Sequence, residues 1–130
     1  MNSDKRFLFF SASVLKLSLQ LPKNRLGRHI ADQLMRSGTS VGANVHEARS
    51  AESRADFIHK MQIALKEIRE TGYWLAILEL AEVICVEHIG QLPKECNELT
   101  AILVSSVVTA KRNLMANEDR IANKGKGKDE

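Results

Sequence analysis

Two prolines in 130 residues, Pro22 and Pro93, are what most limits the shapes open to this chain. A proline removes a backbone donor and clashes with the preceding helical turn, so each one marks an end rather than an interior. Around them run long stretches in which apolar residues return every three or four positions, the period of an amphipathic helix. Aromatic residues are only 5% of the sequence and glycines number seven. With few aromatics and few breakers, the pattern points to an all-helical protein rather than a sheet.

The spacing predicts four helices. The first covers residues 3–21 and turns Phe7, Phe10, Val14, Leu17 and Leu21 inward. Pro22 ends it, because the residue before a proline is pushed out of the helical region. Asn24 is placed to cap a second helix over residues 25–49, with Leu26, Ile30, Leu34, Val41, Val45 and Ala48 as its stripe and a gap at Ser37 and Gly38. Ser53, with Asp56 three residues on, caps a third helix over residues 53–83. Its stripe is Phe57, Met61, Ala64, Leu65, Ile68, Gly72, Leu75 and Leu78. Pro93 suits the first turn of a fourth helix, carried by Leu99, Ile102, Leu103, Ser106, Val107, Ala110 and Leu114 to about residue 117. The final run, IANKGKGKDE, lacks apolar periodicity and is expected to be an unstructured basic tail. The expected organisation is therefore an all-α, antiparallel up-down-up-down four-helix bundle over residues 1–117 with a tail over 118–130.

No apolar run reaches the roughly 18 residues needed to cross a bilayer. The N-terminal stretch MNSDKRFLFFSASVLKLSLQL is interrupted by Lys16 and offers no clean small-residue cleavage site, so it reads as a first helix of a cytoplasmic protein. Cys85 and Cys96 read as free thiols in that compartment. The net charge of +3 and the pI near 9.0 permit contact with nucleic acid without establishing it.

Residues 33–52, QLMRSGTSVGANVHEARSAE, are poor helix formers inside a predicted helix. Each glycine there costs up to about 1 kcal/mol relative to alanine, so tertiary packing must hold the segment. Gly38 and Gly42 share a face, and that spacing lets another backbone come close, within the bundle or between subunits. Ser40, Asn44 and Glu47 also share a face and read as a polar ladder, with Arg69 or Tyr73 as donors from the third helix. The competing reading is a ligand or catalytic carboxylate, but no nucleophile or base accompanies it. Asp56 and His59 resemble half of a di-iron bundle motif whose second half is missing, and a metalloenzyme reading would add Glu47 to them. Cys85, His88 and Cys96 lack a fourth zinc ligand. No catalytic, cofactor-binding or metal-binding residue is therefore assigned, and no cofactor is expected. Two groups of cations remain as candidate nucleic-acid contacts: Arg25, Arg28 and Arg36 on the second helix, and Lys111, Arg112, Lys124, Lys126 and Lys128 near the C-terminal end. Phosphate contacts are chiefly the work of arginine and lysine. Asp32, Glu118, Asp119, Asp129 and Glu130 dilute both groups, so in one monomer the cations read as a solvated face. In a symmetric oligomer they would repeat and their field would add.

The run QLMRSGTSVGANVHEARSAESRADFIHKMQIALKEIRETGYWLAIL resembles the signature of the four-helix-bundle proteins encoded in intervening sequences of bacterial 23S ribosomal RNA genes. The matching positions are Gln33, Leu34, Arg36, Ser40, Val41, Asn44, Val45 and Glu47. They continue at Asp56, Phe57, Lys66, Glu67, Glu70, Thr71, Tyr73, Trp74 and Leu75. The glycine that frequently follows the signature glutamate is Ala48 here. The resemblance implies a non-enzymatic four-helix bundle assembled as a homo-pentamer. In architecture the chain is also similar to the accessory protein of diversity-generating retroelements, a basic pentameric bundle that associates with nucleic acid and a reverse transcriptase. The leading expectation is thus an oligomeric bundle that binds RNA or DNA through basic residues. An adaptor docking a protein partner is the alternative, and a metal-dependent enzyme a distant third.

Overall fold

In the computed structural model, which describes residues 2–128 with side chains to residue 127, the chain forms four long helices and one short one. They are α1 (Ser3–Gln20), α2 (Arg25–Ala48), α3 (Arg54–Leu80), the single turn α4 (Val86–Ile89) and α5 (Leu92–Lys128). The ends are set by the chemistry read from the sequence. Asn24 Oδ1 accepts from the Gly27 amide at 2.9 Å, and Ser53 Oγ accepts from the Asp56 amide at 3.1 Å. Pro93 lies in the first turn of α5. One further cap, Asn2 Oδ1 on the Lys5 amide at 2.9 Å, starts α1. At its other end α3 closes in a Schellman turn: Val83 donates to the Leu78 carbonyl and Glu82 to the Glu79 carbonyl. That turn places Glu82 at φ 52°, a left-handed position without a glycine.

Each long helix buries a stripe of residues three or four apart, the pattern of helical bundle packing. Phe7, Phe10, Val14 and Leu17 meet Ile30, Leu34, Val41 and Val45, then Met61, Ala64, Ile68, Leu75 and Leu78, then Leu99, Leu103 and Val107. α2 packs on α1 and α3, α3 packs on α5, and α1 meets α5 along a much narrower seam. Arg6 fastens that seam, reaching Glu95 at 2.6 Å and Glu98 at 2.7 Å. The bundle is the expected one: all-helical, antiparallel, up-down-up-down.

Four details differ from the sequence-based expectation. Leu26 is 58% exposed, and Gly27 takes its inward place. A Cβ at Gly27 would stand 1.8 Å from the Pro22 carbonyl oxygen, so the first turn of α2 lies directly on the connection and tolerates no side chain. The apparent gap at Ser37 and Gly38 is no gap, since both residues are buried and complete the stripe. In α3 the inward positions are Ile58 and Thr71, while Phe57 and Gly72 lie half-buried beside them. From Met61 onward the stripe alternates three and four residues, and an assignment made on apolarity alone passes over Thr71. Finally, α5 does not end near residue 117 but continues to Lys128, with residues 118–127 fully outside the core. Two glycines lower the helical preference of that segment without breaking it. At 1.5 Å per residue α5 is about 55 Å long against about 27 Å for α1, so its C-terminal part forms an arm beyond the bundle.

Candidate nucleic-acid interface

The glycine-bearing segment of α2 is a seam with α1. A Cβ at Gly38 would come within 2.4 Å of Val14 Cγ1, and one at Gly42 within 2.6 Å of Ser11 Oγ. The close approach brings the Ser11 hydroxyl onto the α2 backbone, where it donates to the Gly38 carbonyl at 2.7 Å and accepts from the Gly42 amide at 3.1 Å. Those two groups are the ones an undisturbed helix joins to each other. The partner of the glycine face is therefore residues 7–14 of α1, and α3 packs on a different side of α2.

The polar contacts to α3 also fall elsewhere than the sequence suggests. Asn44 Nδ2 turns back to the Ser40 carbonyl at 2.9 Å, one turn earlier on its own helix. Glu47 pairs with Lys60 at 2.9 Å, and neither Arg69 nor Tyr73 supplies its donor. That pairing raises the Lys60 pKa, chiefly through the Glu47 hydrogen bond. The buried registry between α2 and α3 is instead Ser37 with Thr71, whose hydroxyls lie 2.9 Å apart at 0% exposure for both residues. Thr71 has one proton and also approaches the Glu67 carbonyl at 2.8 Å. A chain in which Ser37 donates to Thr71 and Thr71 donates to that carbonyl satisfies both groups. The α2 positions at three- and four-residue spacing predict that Ser37 faces inward; what hid it was its polarity.

The cations divide sharply. Arg36 binds Glu67 at 3.2 Å and also Glu70, and the Glu70 hydrogen bond is the main cause of its raised pKa. Arg49 grips Asp4 and lies over the Phe57 ring. Arg6 is held by Glu95 and Glu98, and its pKa is raised chiefly by Glu95. These residues join helices. Among the described residues Arg25, Arg28, Lys111, Arg112, Lys124 and Lys126 have no carboxylate partner. The side chain of Lys128 lies outside the described part. Most of the imbalance of charge sits in the C-terminal segment. Residues 111–130 carry six Lys and Arg against Glu118, Asp119, Asp129 and Glu130, while residues 1–110 carry thirteen against twelve Asp and Glu.

Two other groups do not assemble. Among the described residues no three His, Cys, Asp or Glu side chains gather where they could hold a metal ion. Cys85 is exposed and Cys96 is buried, both as free thiols. Burial pushes the Cys96 thiol up to about 11, with the Thr100 hydrogen bond opposing. No described helix is long and apolar enough to cross a membrane.

Helix order, stripe spacing and the Gly38–Gly42 seam define an up-and-down helical bundle protein with a charged helical extension. The sequence profile of the 23S rRNA-intervening sequence protein family matches residues 5–105, and the chain belongs to that family. In structure the chain is similar to a protein of unknown function from the S23 ribosomal protein family of Bacteroides thetaiotaomicron, with a TM-score of 0.75 and 38% identity. The similarity covers 82% of this chain and 98% of that one. The family match stops at residue 105, before the arm begins. Comparison with curated proteins found no match.

Proposed function

We propose that this chain is a non-catalytic, self-associating bundle that binds RNA or DNA by electrostatic attraction. The observation that carries the reading is the C-terminal segment from Lys111, where six cations meet four carboxylates and α5 leaves the bundle. A segment with this bias gains little from facing its own near-neutral bundle and much from facing phosphates. Arg25 and Arg28 add a second unengaged pair on α2. Arg36 does not take part, because Glu67 and Glu70 hold it.

Self-association multiplies these charges. The outer face of α1 and α2 exposes Leu8 (66%), Leu19 (67%), Leu15 and Met35 beside a groove of about 470 Å³ that Thr39, Ala43 and His46 help to line. Apolar surface of this kind supports contact between copies, and the family resemblance implies a ring of five. The same face would serve a protein partner in an adaptor.

The test is RNA binding across a salt series, with the native particle mass measured by light scattering. The expected result is an assembly of several 14.5 kDa chains whose affinity falls linearly on a log–log plot against salt. Lys124→Gln with Lys126→Gln reduces that slope by about one unit for each of the two lysines that meets a phosphate. No binding at low salt, or binding indifferent to salt, overturns the proposal.

A further inference from the structure

The only tyrosine and the only tryptophan of the chain sit side by side on α3. Tyr73 is 61% exposed, and its ring centroid lies 5.4 Å from that of Trp74 with the planes at 71°. Trp74 in turn meets His29 of α2 edge-on at 5.9 Å. His29, Leu26 and Arg25 line a hollow of about 410 Å³ on the same flank of the bundle. The surface there combines an open aromatic face, an exposed leucine and a cation without a carboxylate partner. Arg28 stands next in sequence to His29 and is likewise without one.

A second observation concerns the indole. Trp74 Nε1 is buried and has no hydrogen-bond partner, whereas buried polar groups almost always have one. A ring movement that turned this N–H towards an external acceptor would therefore break no hydrogen bond. Of the nearby acids Glu67 and Glu70 are bound by Arg36. The exposed Asp32, one turn on from Arg28, has no such partner among the described residues and offsets part of the local positive charge.

An unpaired nucleotide offers what each of these groups lacks. Its base has a face to stack, its carbonyl oxygens accept hydrogen bonds, and its phosphates carry charge. A duplex hides the base faces and offers phosphates and groove edges but no ring to stack. A second copy of the chain would also cover the aromatic face and bring exposed acids such as Glu82 and Glu87, and native mass separates that arrangement from nucleotide binding. We infer that Tyr73 stacks an unpaired base of single-stranded RNA or DNA, with Arg25 and Arg28 on the adjoining phosphates. The inference rests on the proposed nucleic-acid binding and narrows its ligand to single strands.

The test uses the full chain, a labelled deoxythymidine oligomer of about 12 nucleotides and a duplex of the same length at one salt concentration. Anisotropy gives affinity, and emission from the sole tryptophan reports on the site itself. The single strand is expected to change Trp74 emission, and Tyr73→Ala to weaken its binding about tenfold. Duplex affinity stays unchanged in that variant, and Tyr73→Phe keeps the single-strand affinity within about twofold because its ring still stacks. Single-strand affinity unaltered by Tyr73→Ala, or equal losses for both ligands, overturns the stacking site while leaving electrostatic binding intact. A drop in native mass on Tyr73→Ala would instead make the patch a seam between copies and also overturn it. If neither ligand binds at low salt, the stacking site and the proposed function fall together.

Discussion

Replacing Gly38 by alanine sets two effects of known sign against each other. In the interior of an exposed helix the change stabilises by about 1 kcal/mol, because glycine has more backbone freedom to lose. At Gly38 the new Cβ would lie 2.4 Å from Val14 Cγ1 and 2.9 Å from Val14 Cβ. Val14 is 0% exposed, and a β-branched side chain in a helix has essentially one rotamer, so it cannot swing aside. The helices must separate, at a cost of about 1–3 kcal/mol for overpacking. The separation also stretches the Ser11 hydroxyl away from the Gly38 carbonyl and Gly42 amide. The expected net result is a loss of about 1–2 kcal/mol, or roughly 3–8 °C in melting temperature for a chain of this size. Val14→Ala alone opens a cavity and is also destabilising. In the double variant the alanine methyl at residue 38 occupies space that Val14 vacated, so the losses partly cancel. Denaturant unfolding of wild type, both single variants and the double variant, followed by circular dichroism, closes the cycle. A coupling of about 1 kcal/mol or more in the compensating direction is expected. Strict additivity, or a Gly38→Ala protein more stable than wild type, would refute the close-approach argument.

Thr71→Val keeps the shape but removes the hydroxyl that Ser37 meets, leaving a buried polar group unpaired. It should lower the unfolding free energy by about 1–3 kcal/mol, and adding Ser37→Ala should recover part of that loss. Glu82→Gly places glycine at a φ of 52°; it should raise stability by up to about 1 kcal/mol, and an unchanged or lower denaturation midpoint would count against the strain. The Cys96 thiol ionises near 9.0 when unfolded and is held up to about 11 by burial. Between those values the unfolded chain binds fewer protons than the folded one, so stability should fall as pH rises through the window. A Cys96→Ala protein should lose that component of the pH dependence, and in the wild type at pH 8 only Cys85 should react with a thiol reagent before unfolding.

The parts of this fold that sequence made plain are those where one physical signal acts alone. Helix number, the caps at Asn24 and Ser53 and the stop at Pro22 follow from backbone chemistry and period. The polar registry was harder to read because an inward Ser37 or Thr71 looks like an interruption until a partner helix is placed beside it. Leu26 misled for a related reason: the tight contact of Gly27 on Pro22 rotates the first turn, and only three-dimensional crowding reveals it. Gly38 and Gly42 announced close packing but could not say which helix approaches. Arg36 looked like the equal of Arg25 and Arg28 because the carboxylates that hold it are thirty-one and thirty-four residues away. The arm escaped notice because its composition suits a disordered tail, and composition does not report the helix continuing into it from Val107 and Leu114.

The Ser11 hydroxyl has a consequence for which parts of the molecule open together. An amide inside a helix is ordinarily shielded from exchange with solvent by its own helix. The Gly42 amide is held in addition by a side chain on α1, so its protection is tied to the docking of a neighbour. Exchange at Gly42 therefore requires release of α1 as well as local opening of α2, so its protection exceeds that of α2 amides held by their own helix alone. The two N-terminal helices thereby open as one unit, while amides in the arm, with no neighbour to hold them, exchange on a schedule of their own.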